Sequence, residues 1–333
     1  MTTEHARIGV VLGAGGVLGH AFHAGVLAAL HEVTGFDAKD ADRLVGTSAG
    51  SVVAALLAGG MPAADLAAEA LGRPVSDVGR RLAGRRGNGA IVPPEPDPSA
   101  SRWRPAAPAL LARLVTRPWR HRPGVLAAAA LPAGRTAVPG LGSWIGGIVG
   151  ATWPDRLRVV AVRLGDGRRV VFGDPDAPAT DAVHAVSASC AIPAYYAPVE
   201  IAGERYLDGG VHSPTNADVL GDERLDLVVV VSPMSVAPSD RRVTADLPAR
   251  LYFAALLARE RRRLEKAGTA VLVFAPDADD RDAMGISPMA ASRREDVTRQ
   301  AHASTLRRLD VLAGDPRLAV LAERGGGIRS GAG

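Results

Sequence analysis

The sequence predicts a three-layer α/β/α domain with a mostly parallel central sheet. Two short apolar runs, Ile8–Leu12 and Leu44–Val45, each end at a glycine-containing turn, and a stretch with helical spacing of apolar residues follows each turn. A third run, Leu227–Val231, contains only leucine and valine, which is typical of a strand buried on both faces. Strands that alternate with helices form parallel sheets covered by helices on both sides.

The first strand–helix–strand–helix unit occupies residues 8–60. After the strand at Ile8–Leu12, apolar residues recur with the period of a helix, at Phe22, Val26, Leu27, Leu30 and Val33. The short strand Leu44–Val45 then enters the turn Gly46–Gly50, and Val52–Leu57 continues as the second helix. This order of elements places two turns at the carboxyl ends of two neighbouring strands.

The second half of the chain returns to the same alternation. Strands at Arg158–Arg163 and Arg169–Phe172 flank the turn Asp166-Gly167, which predicts a hairpin. The remaining predicted elements are helices at Asp181–Ser189, Pro248–Lys266 and Ser292–Leu312, and strands at Leu227–Val231 and Ala270–Phe274.

The stretch between residues 73 and 135 differs from the rest of the chain. It contains ten prolines, and its twelve arginines outnumber its three acidic residues. Its candidate elements are two short helices, at Leu110–Val115 and Val125–Leu131. We interpret residues 73–150 as an Arg/Pro-rich insertion within a single domain that spans residues 1–333. Two interpretations of the insertion stay open, a solvated surface loop and a lid whose arginines contact an anionic membrane surface. Residues 324–333 are predicted to be a disordered tail.

Charge and composition exclude several classes of protein. The net charge of +4 combines the basic insertion with a mildly acidic remainder, which argues against a nucleic-acid partner. One cysteine, Cys190, excludes an intramolecular disulfide and a cysteine-based zinc site, and no His/Asp/Glu cluster has metal-ligand spacing, so we expect no metal and no cofactor. The chain has no signal-peptide pattern and no apolar run of about 18 residues, which predicts a cytoplasmic protein with at most peripheral membrane contact.

The pentapeptide Gly46-Thr47-Ser48-Ala49-Gly50 has the pattern of a nucleophile elbow, hereafter the elbow. Glycines flank a serine on a sharp strand-to-helix turn, which exposes the hydroxyl at the N-terminus of the next helix. Free amides and the helix dipole favour developing negative charge there. The alternative is a plain helix N-cap formed by Thr47 or Ser48.

A glycine-rich turn, Gly13–Gly19, lies between the first strand and the first helix. Such a turn presents backbone N–H groups to an anion. The dinucleotide fingerprint requires glycine at its sixth position, where Leu18 stands, and the nucleotide P-loop requires a lysine, where His20 stands. Both nucleotide interpretations are therefore weakened, which leaves an oxyanion site or a turn that only packs beneath the helix.

The Asp-Gly-Gly turn, Asp208–Gly210, also has two interpretations. Asp-Gly is a common tight-turn dipeptide. Alternatively, Asp208 is a base that is hydrogen-bonded to the serine hydroxyl, a role that requires burial and a raised pKa.

In this order and spacing the three motifs resemble the patatin-like phospholipase family. A fourth block, Ser187–Pro193, resembles the segment that precedes the Asp-Gly-Gly turn in that family. The resemblance covers residues 7–60 and 155–232. It departs from the family at Leu18, where Arg or Lys is usual, and in one additional residue between Gly19 and Gly25.

The resemblance implies a serine acyl hydrolase that releases fatty acids from phospholipid or another acyl lipid. Ser48 would be the nucleophile, Asp208 its base, and the amides of Gly15, Gly16, Val17 and Leu18 the oxyanion hole. The alternatives are a general carboxylesterase for small esters, a non-catalytic lipid- or nucleotide-binding protein, and a Ser-His-Asp triad. The triad would use His302, the late histidine that follows Asp208 far enough in the chain.

Overall fold

The computed structural model describes residues 5–85, 106–107, 110–111, 122–132, 134, 136–138, 141–240 and 242–326, with the backbone alone for residues 141–144. Much of the predicted insertion, including its arginines between residues 86 and 121, lies outside the described residues. So do residues 327–333 of the predicted tail, whereas residues up to Arg324 belong to a helix.

The strands of the described chain are β1 Ile8–Leu12, β2 Arg43–Thr47, β3 Leu157–Arg163, β4 Arg169–Phe172, β5 Val199–Ile201, β6 Glu204–Asp208, β7 Leu227–Val231 and β8 Ala270–Phe274. Its α-helices are α1 Gly16–Thr34, α2 Ala49–Ala58, α3 Ala63–Ala70, α4 Asp77–Ala83, α5 Pro123–Ala130, α6 Leu141–Val149, α7 Ala182–Ser189, α8 Leu247–Lys266, α9 Ala278–Met284, α10 Arg294–Val311 and α11 Pro316–Arg324.

The strands form one sheet in the order β5-β6-β3-β2-β1-β7-β8, with β4 paired to β3. Strands β3, β2, β1, β7 and β8 are parallel, and β4, β5 and β6 are antiparallel to their neighbours. Leu12 lies opposite both Gly46 and Val231, so β1, β2 and β7 end at one level. The loops that follow these three strands therefore meet at one edge of the sheet, where ligands bind in parallel α/β folds.

Helices cover both faces of this sheet, which confirms the predicted three-layer fold. Along β1 the side chains alternate, so Val10 belongs to the core beneath α1 and Val11 to the core beneath α8. Leu27 of α1 and Leu257 of α8 are buried in these two cores. Burial on both faces explains why β1 and β7 are continuous apolar runs instead of alternating ones.

The described ends of the predicted insertion pack against the domain. In α4, Ser76 is the N-cap and its hydroxyl donates to Asp65 of α3 at 2.6 Å. In α5, Val125 is buried in a cluster with Leu207 of β6, and the Arg122 guanidinium donates to the His212 carbonyl at 2.9 Å. A lid and a membrane contact nevertheless stay predictions, because they concern arginines outside the described chain.

Several short helices have no counterpart among the elements predicted from the sequence. They are α3, α4, α6, α9 and α11, each of seven to nine residues. Their sequences are rich in alanine, glycine or charged residues and are too short for a helical period to emerge. No helix of the described chain is long and apolar enough to cross a membrane.

Candidate active site

Ser48 lies on a strained strand-to-helix turn between β2 and α2. Its backbone has φ 54° and ψ −126°, a conformation that costs a non-glycine residue on the order of 1–3 kcal/mol. Two hydrogen bonds hold the turn, because the Ser48 amide donates to the Ser189 hydroxyl at 2.9 Å and the Ser51 hydroxyl donates to the Ser48 carbonyl at 2.6 Å. The fold thus maintains a strained backbone at the predicted nucleophile.

The elbow glycines are required by close backbone approach. A Cβ on Gly46 would overlap the Cα of Ser51, and a Cβ on Gly50 would overlap the carbonyl oxygen of Leu12 at the end of β1. Both neighbours are backbone atoms, which cannot rotate away. The glycines of the elbow therefore allow α2 to pack closely against β1 and β2, as the nucleophile-elbow pattern predicts.

Asp208 lies at the end of β6, level with Ser48. Thr47 pairs with Val160 of β3, and the next residue of β3, Ala161, pairs with Asp208. The side chain of Ser48 lies close enough to the Asp208 carboxylate to stabilise its charged form. The Gly210 amide donates to the same carboxylate at 2.7 Å. Two predicted site residues that are 160 positions apart in sequence thus lie side by side.

Burial controls the charge of Asp208. Only 5% of the residue is exposed, and burial raises the pKa of its carboxyl to about 6, although the interactions with the Ser48 side chain and the Gly210 amide favour the charged form. A carboxyl with this pKa is ionised at neutral pH and still accepts a proton readily. General-base catalysis requires this combination of properties.

The glycine-rich turn presents the first amides of α1 at the same edge of the sheet. The amides of Gly15, Gly16 and Val17 have no hydrogen-bond acceptor among the described residues, as expected at a helix N-terminus. The amide of Leu18, in contrast, donates to the carbonyl of Pro288 at 2.9 Å. Of the four amides predicted to bind an oxyanion, three therefore have no acceptor among the described residues. The fourth, that of Leu18, already has one in the Pro288 carbonyl.

Comparison with known proteins agrees with this arrangement. The model of the family described as patatin-like phospholipase matches residues 10–220, more than half of the chain, and this range contains the glycine-rich turn, the elbow and the Asp-Gly-Gly turn. The chain belongs to the patatin-like phospholipase family. It is therefore a lipid acyl hydrolase, and its substrate is an acyl lipid.

The crystal structure of VipD from Legionella pneumophila is similar to this patatin-like protein with a TM-score of 0.40 and 15% sequence identity. The alignment covers 92% of this chain and 67% of VipD. No curated protein sequence matches the chain.

The block Ser187–Pro193 supports both the elbow and Asp208 in this patatin-like protein. The Ser189 hydroxyl accepts from the Ser48 amide and donates to the Val160 carbonyl at 2.6 Å, while the Asp208 amide donates to the Ala191 carbonyl at 3.0 Å. Burial, reinforced by the charge of Asp208, raises the pKa of the Cys190 thiol. The thiol therefore stays protonated and is not a competing nucleophile.

His302, which the sequence offered for a triad, bonds elsewhere, and so do two histidines that contact the motifs of the site, His23 and His212. His302 is paired with Glu32 at 2.8 Å, and Glu32 lies about 24 Å along α1 from Gly16 at 1.5 Å per residue. Nε2 of His23 donates to the Gly13 carbonyl at 2.7 Å, and burial lowers the pKa of this ring to about 4. His212 bonds to Asn216 at 3.0 Å. None of these three histidines supports a Ser-His-Asp triad at Ser48.

Sequence reasoning missed Asn216, which joins parts of the site. Its backbone is left-handed, with φ 53°, a conformation that asparagine adopts more readily than most residues. Its side-chain nitrogen donates to the Thr47 hydroxyl at 3.1 Å and to the Gly209 carbonyl at 3.4 Å.

The described residues contain no group of three or more side chains placed to hold a metal ion.

Proposed function

We propose that this protein hydrolyses an acyl ester of phospholipid or a related acyl lipid through a Ser48–Asp208 dyad. Ser48 is the nucleophile, Asp208 is its general base, and the amides of Gly15, Gly16 and Val17 stabilise the oxyanion. The observation that carries this proposal is the placement of Ser48, on its strained turn, beside a buried Asp208 whose pKa is about 6.

In the first half of the reaction, the Ser48 oxygen attacks the ester carbonyl carbon while its proton passes to Asp208. The carbonyl oxygen becomes an oxyanion near the unpaired amides of the glycine-rich turn, where the positive end of α1 also favours negative charge. When the intermediate collapses, the C–O bond to the alcohol breaks and the alcohol takes the proton from Asp208. The product is an acyl-enzyme ester on Ser48.

In the second half, water takes the place of the alcohol. Asp208 accepts a proton from the water as the water oxygen attacks the acyl carbon, and a second oxyanion forms at the same amides. Collapse breaks the bond to the Ser48 oxygen, which regains the proton from Asp208. The fatty acid leaves, and the dyad returns to its starting protonation state.

The direct test is covalent labelling of the purified protein with a fluorophosphonate, followed by peptide mapping, together with fatty-acid release from phosphatidylcholine vesicles. We expect the label on Ser48 and free fatty acid as a product. Failure of the wild-type protein to label would favour the alternative of a non-catalytic binding protein.

An apolar cavity adjoins the glycine-rich turn and supports an acyl-chain site. Its volume is about 140 Å³, and its lining includes Leu18, Pro233, Phe253, Met284 and Ile286. This volume holds roughly four or five groups of the size of a water molecule or methylene, at about 30 Å³ each. Ile286 is 92% exposed, so the cavity opens to the surface at that residue. Roughly the last four or five carbons of a medium-length acyl chain would fill this cavity.

Phe253→Trp is expected to lower kcat/KM for an octanoyl ester about tenfold relative to that for an acetyl ester, because the larger ring removes cavity volume that only the longer chain uses. The measurement compares p-nitrophenyl esters of the two acids. Tyr252→Trp is the matched control, since Tyr252 neighbours Phe253 on α8 but does not line the cavity. Equal effects on the two esters would contradict an acyl-chain site here. A wild-type preference for the acetyl ester would favour a general carboxylesterase.

Membrane contact through residues 73–135 is a separate part of the proposal. Binding to phosphatidylserine vesicles is expected to weaken as salt rises, because each arginine near an anionic surface contributes about 1 kcal/mol. Replacing Arg102, Arg104 and Arg117 with glutamine should weaken vesicle binding by at least tenfold in a sedimentation assay. Replacing Arg299 and Arg307 on α10 with glutamine should not. Binding that is insensitive to both salt and the three substitutions would rule out this contact.

A further inference from the structure

Glu260 is a buried carboxylate in the arginine-rich, C-terminal part of α8. It lies in the last two turns of α8, among Arg259, Arg261 and Arg262, yet only 1% of it is exposed. A carboxylate is almost never buried without partners, because removing the charge from water costs several kcal/mol. The groups that donate hydrogen bonds to Glu260 therefore show which part of the structure this carboxylate stabilises.

Among the described residues, the hydrogen-bond donors to Glu260 lie on one segment, Ser213–Ala217, hereafter the 213–217 segment. The Thr215 hydroxyl donates to Oε2 at 2.6 Å, and the Ala217 amide donates to the same oxygen at 2.9 Å. The other carboxylate oxygen, Oε1, is buried without a hydrogen-bond partner among the described residues. Two donors from residues 215 and 217 thus converge on Oε2, which fixes the conformation of the segment from the α8 side.

The opposite side of the 213–217 segment contacts each motif of the candidate active site. The Pro214 carbonyl accepts from the Ala14 amide at 2.8 Å, which ties the segment to the glycine-rich turn. Asn216 donates to Thr47 beside the nucleophile and to Gly209 beside the base. The 213–217 segment therefore forms hydrogen bonds with all three motifs, the glycine-rich turn, the elbow and the Asp-Gly-Gly turn.

We propose that Glu260 is a positioning residue for the hydrolase reaction, acting through the 213–217 segment to hold the glycine-rich turn, Ser48 and Asp208 in register. The proposal rests on the dyad function proposed above. Without an acceptor at Glu260, the Thr215 hydroxyl and Ala217 amide lose their partner and the segment shifts. Shifts of about 1 Å in groups that position a reaction lower rates by about 10²-fold.

The test compares Glu260→Met with Glu260→Gln. Methionine keeps the length of the side chain but accepts no strong hydrogen bond, so kcat and the rate of fluorophosphonate labelling should fall by about 10-fold to 10²-fold while KM changes by less than about threefold. Glutamine keeps an oxygen that can accept from Thr215 and Ala217, so its kcat should remain within about threefold of wild type. A kcat that falls in Glu260→Met but not in Glu260→Gln would show that the reaction requires the hydrogen bonds accepted at this position and not the negative charge of Glu260.

Asp65→Leu is the control for stability. Asp65 is also buried, accepts from the Ser76 hydroxyl at 2.6 Å and from the Ser76 amide at 2.8 Å, and belongs to α3, which supplies no residue to the dyad, the glycine-rich turn or the acyl-chain cavity. Both variants should lower Tm, but Asp65→Leu should retain wild-type kcat well below its Tm. Wild-type kcat in Glu260→Met, or an equal loss in Asp65→Leu, would overturn the proposal.

Thr215→Val provides a second variant in case Glu260→Met does not fold. It removes a single donor and preserves the methyl group that packs near Gly13, and we expect a loss of about threefold to tenfold in kcat. An unchanged kcat in Thr215→Val would contradict the proposal. If the wild-type protein is not labelled on Ser48, the dyad function itself fails, whereas normal wild-type labelling with unaffected Glu260 variants refutes only the positioning role.

Discussion

Replacing Ser48 with alanine is expected to lower kcat by about 10⁴-fold to 10⁶-fold and to abolish labelling by a fluorophosphonate. The magnitude follows from other serine hydrolases, in which loss of the nucleophile removes covalent catalysis and leaves only binding and oxyanion stabilisation. Fatty-acid release and labelling should disappear together, because both require the same oxygen. The variant should fold normally, since the Ser48 amide and carbonyl keep their bonds to Ser189 and Ser51.

Ser187→Ala is the matched control for this substitution. Its hydroxyl is partly buried and donates to the Val183 carbonyl within α7 at 2.8 Å, with no bond to the dyad. We expect wild-type labelling and turnover from it. Labelling that persists in Ser48→Ala, with the label mapped to another residue, would assign the nucleophile elsewhere.

Asp208→Asn is expected to lower kcat by about 10²-fold to 10⁴-fold, the usual contribution of general acid–base catalysis. Asparagine retains an oxygen for the Gly210 amide but cannot take the proton from Ser48. Steady-state hydrolysis of a phospholipid and the rate of labelling should both show the loss. Labelling at the wild-type rate would exclude Asp208 as the base.

The pH profile of the wild-type enzyme should show the ionisation of Asp208. The base must be deprotonated to act, and burial raises its pKa to about 6, so kcat/KM should fall as pH decreases through about 6. This acidic limb should be absent from the residual activity of Asp208→Asn. An acidic limb that is unchanged in the variant would assign the titration to another group.

The same pKa predicts that Asp208→Asn is more stable than wild type at neutral and alkaline pH. The folded pKa of about 6 exceeds the value of 3.8 for an exposed aspartate. Stabilisation by the protonated carboxyl is therefore complete below about pH 3.8 and is lost as pH rises through about 6. The ionised form therefore costs about 3 kcal/mol above that range. The Tm of the variant should exceed that of wild type by a few degrees at neutral pH, and the difference should disappear in acid.

The sequence predicts the buried strands better than the short helices. Strands β1, β7 and β8 coincide with Ile8–Leu12, Leu227–Val231 and Ala270–Phe274, because burial on both faces requires uninterrupted apolar runs with sharp ends. A helix such as α9, with its Asp277 capping box, has too few residues for a period and depends on packing against α10.

The residues of the candidate site also differ in whether the sequence predicts them. Ser48 and Asp208 are indicated by local patterns, since a sharp turn imposes glycines on the residues beside it. Glu260 has no such signal, because it lies within Arg259–Lys266, a run that is typical of a solvent-exposed helix surface. The Pro288 carbonyl on the Leu18 amide is likewise unpredictable, since any residue can supply a carbonyl. Contacts between segments remote in sequence depend on the whole fold, and local patterns do not encode them.

The pairing of β1 with β7 also determines when during synthesis the enzyme can become active. Residues 8–12 complete their side of the sheet only after residues 227–231 have left the ribosome, and Glu260 emerges later still. At about 5–20 residues per second, the nascent chain carries Ser48 for roughly ten seconds or more before Asp208 and its supporting segment are available. Loop closure over such separations is slow and cooperative. If the proposed dyad is correct, an unfinished chain that ends before residue 208 has Ser48 without its base and is inactive.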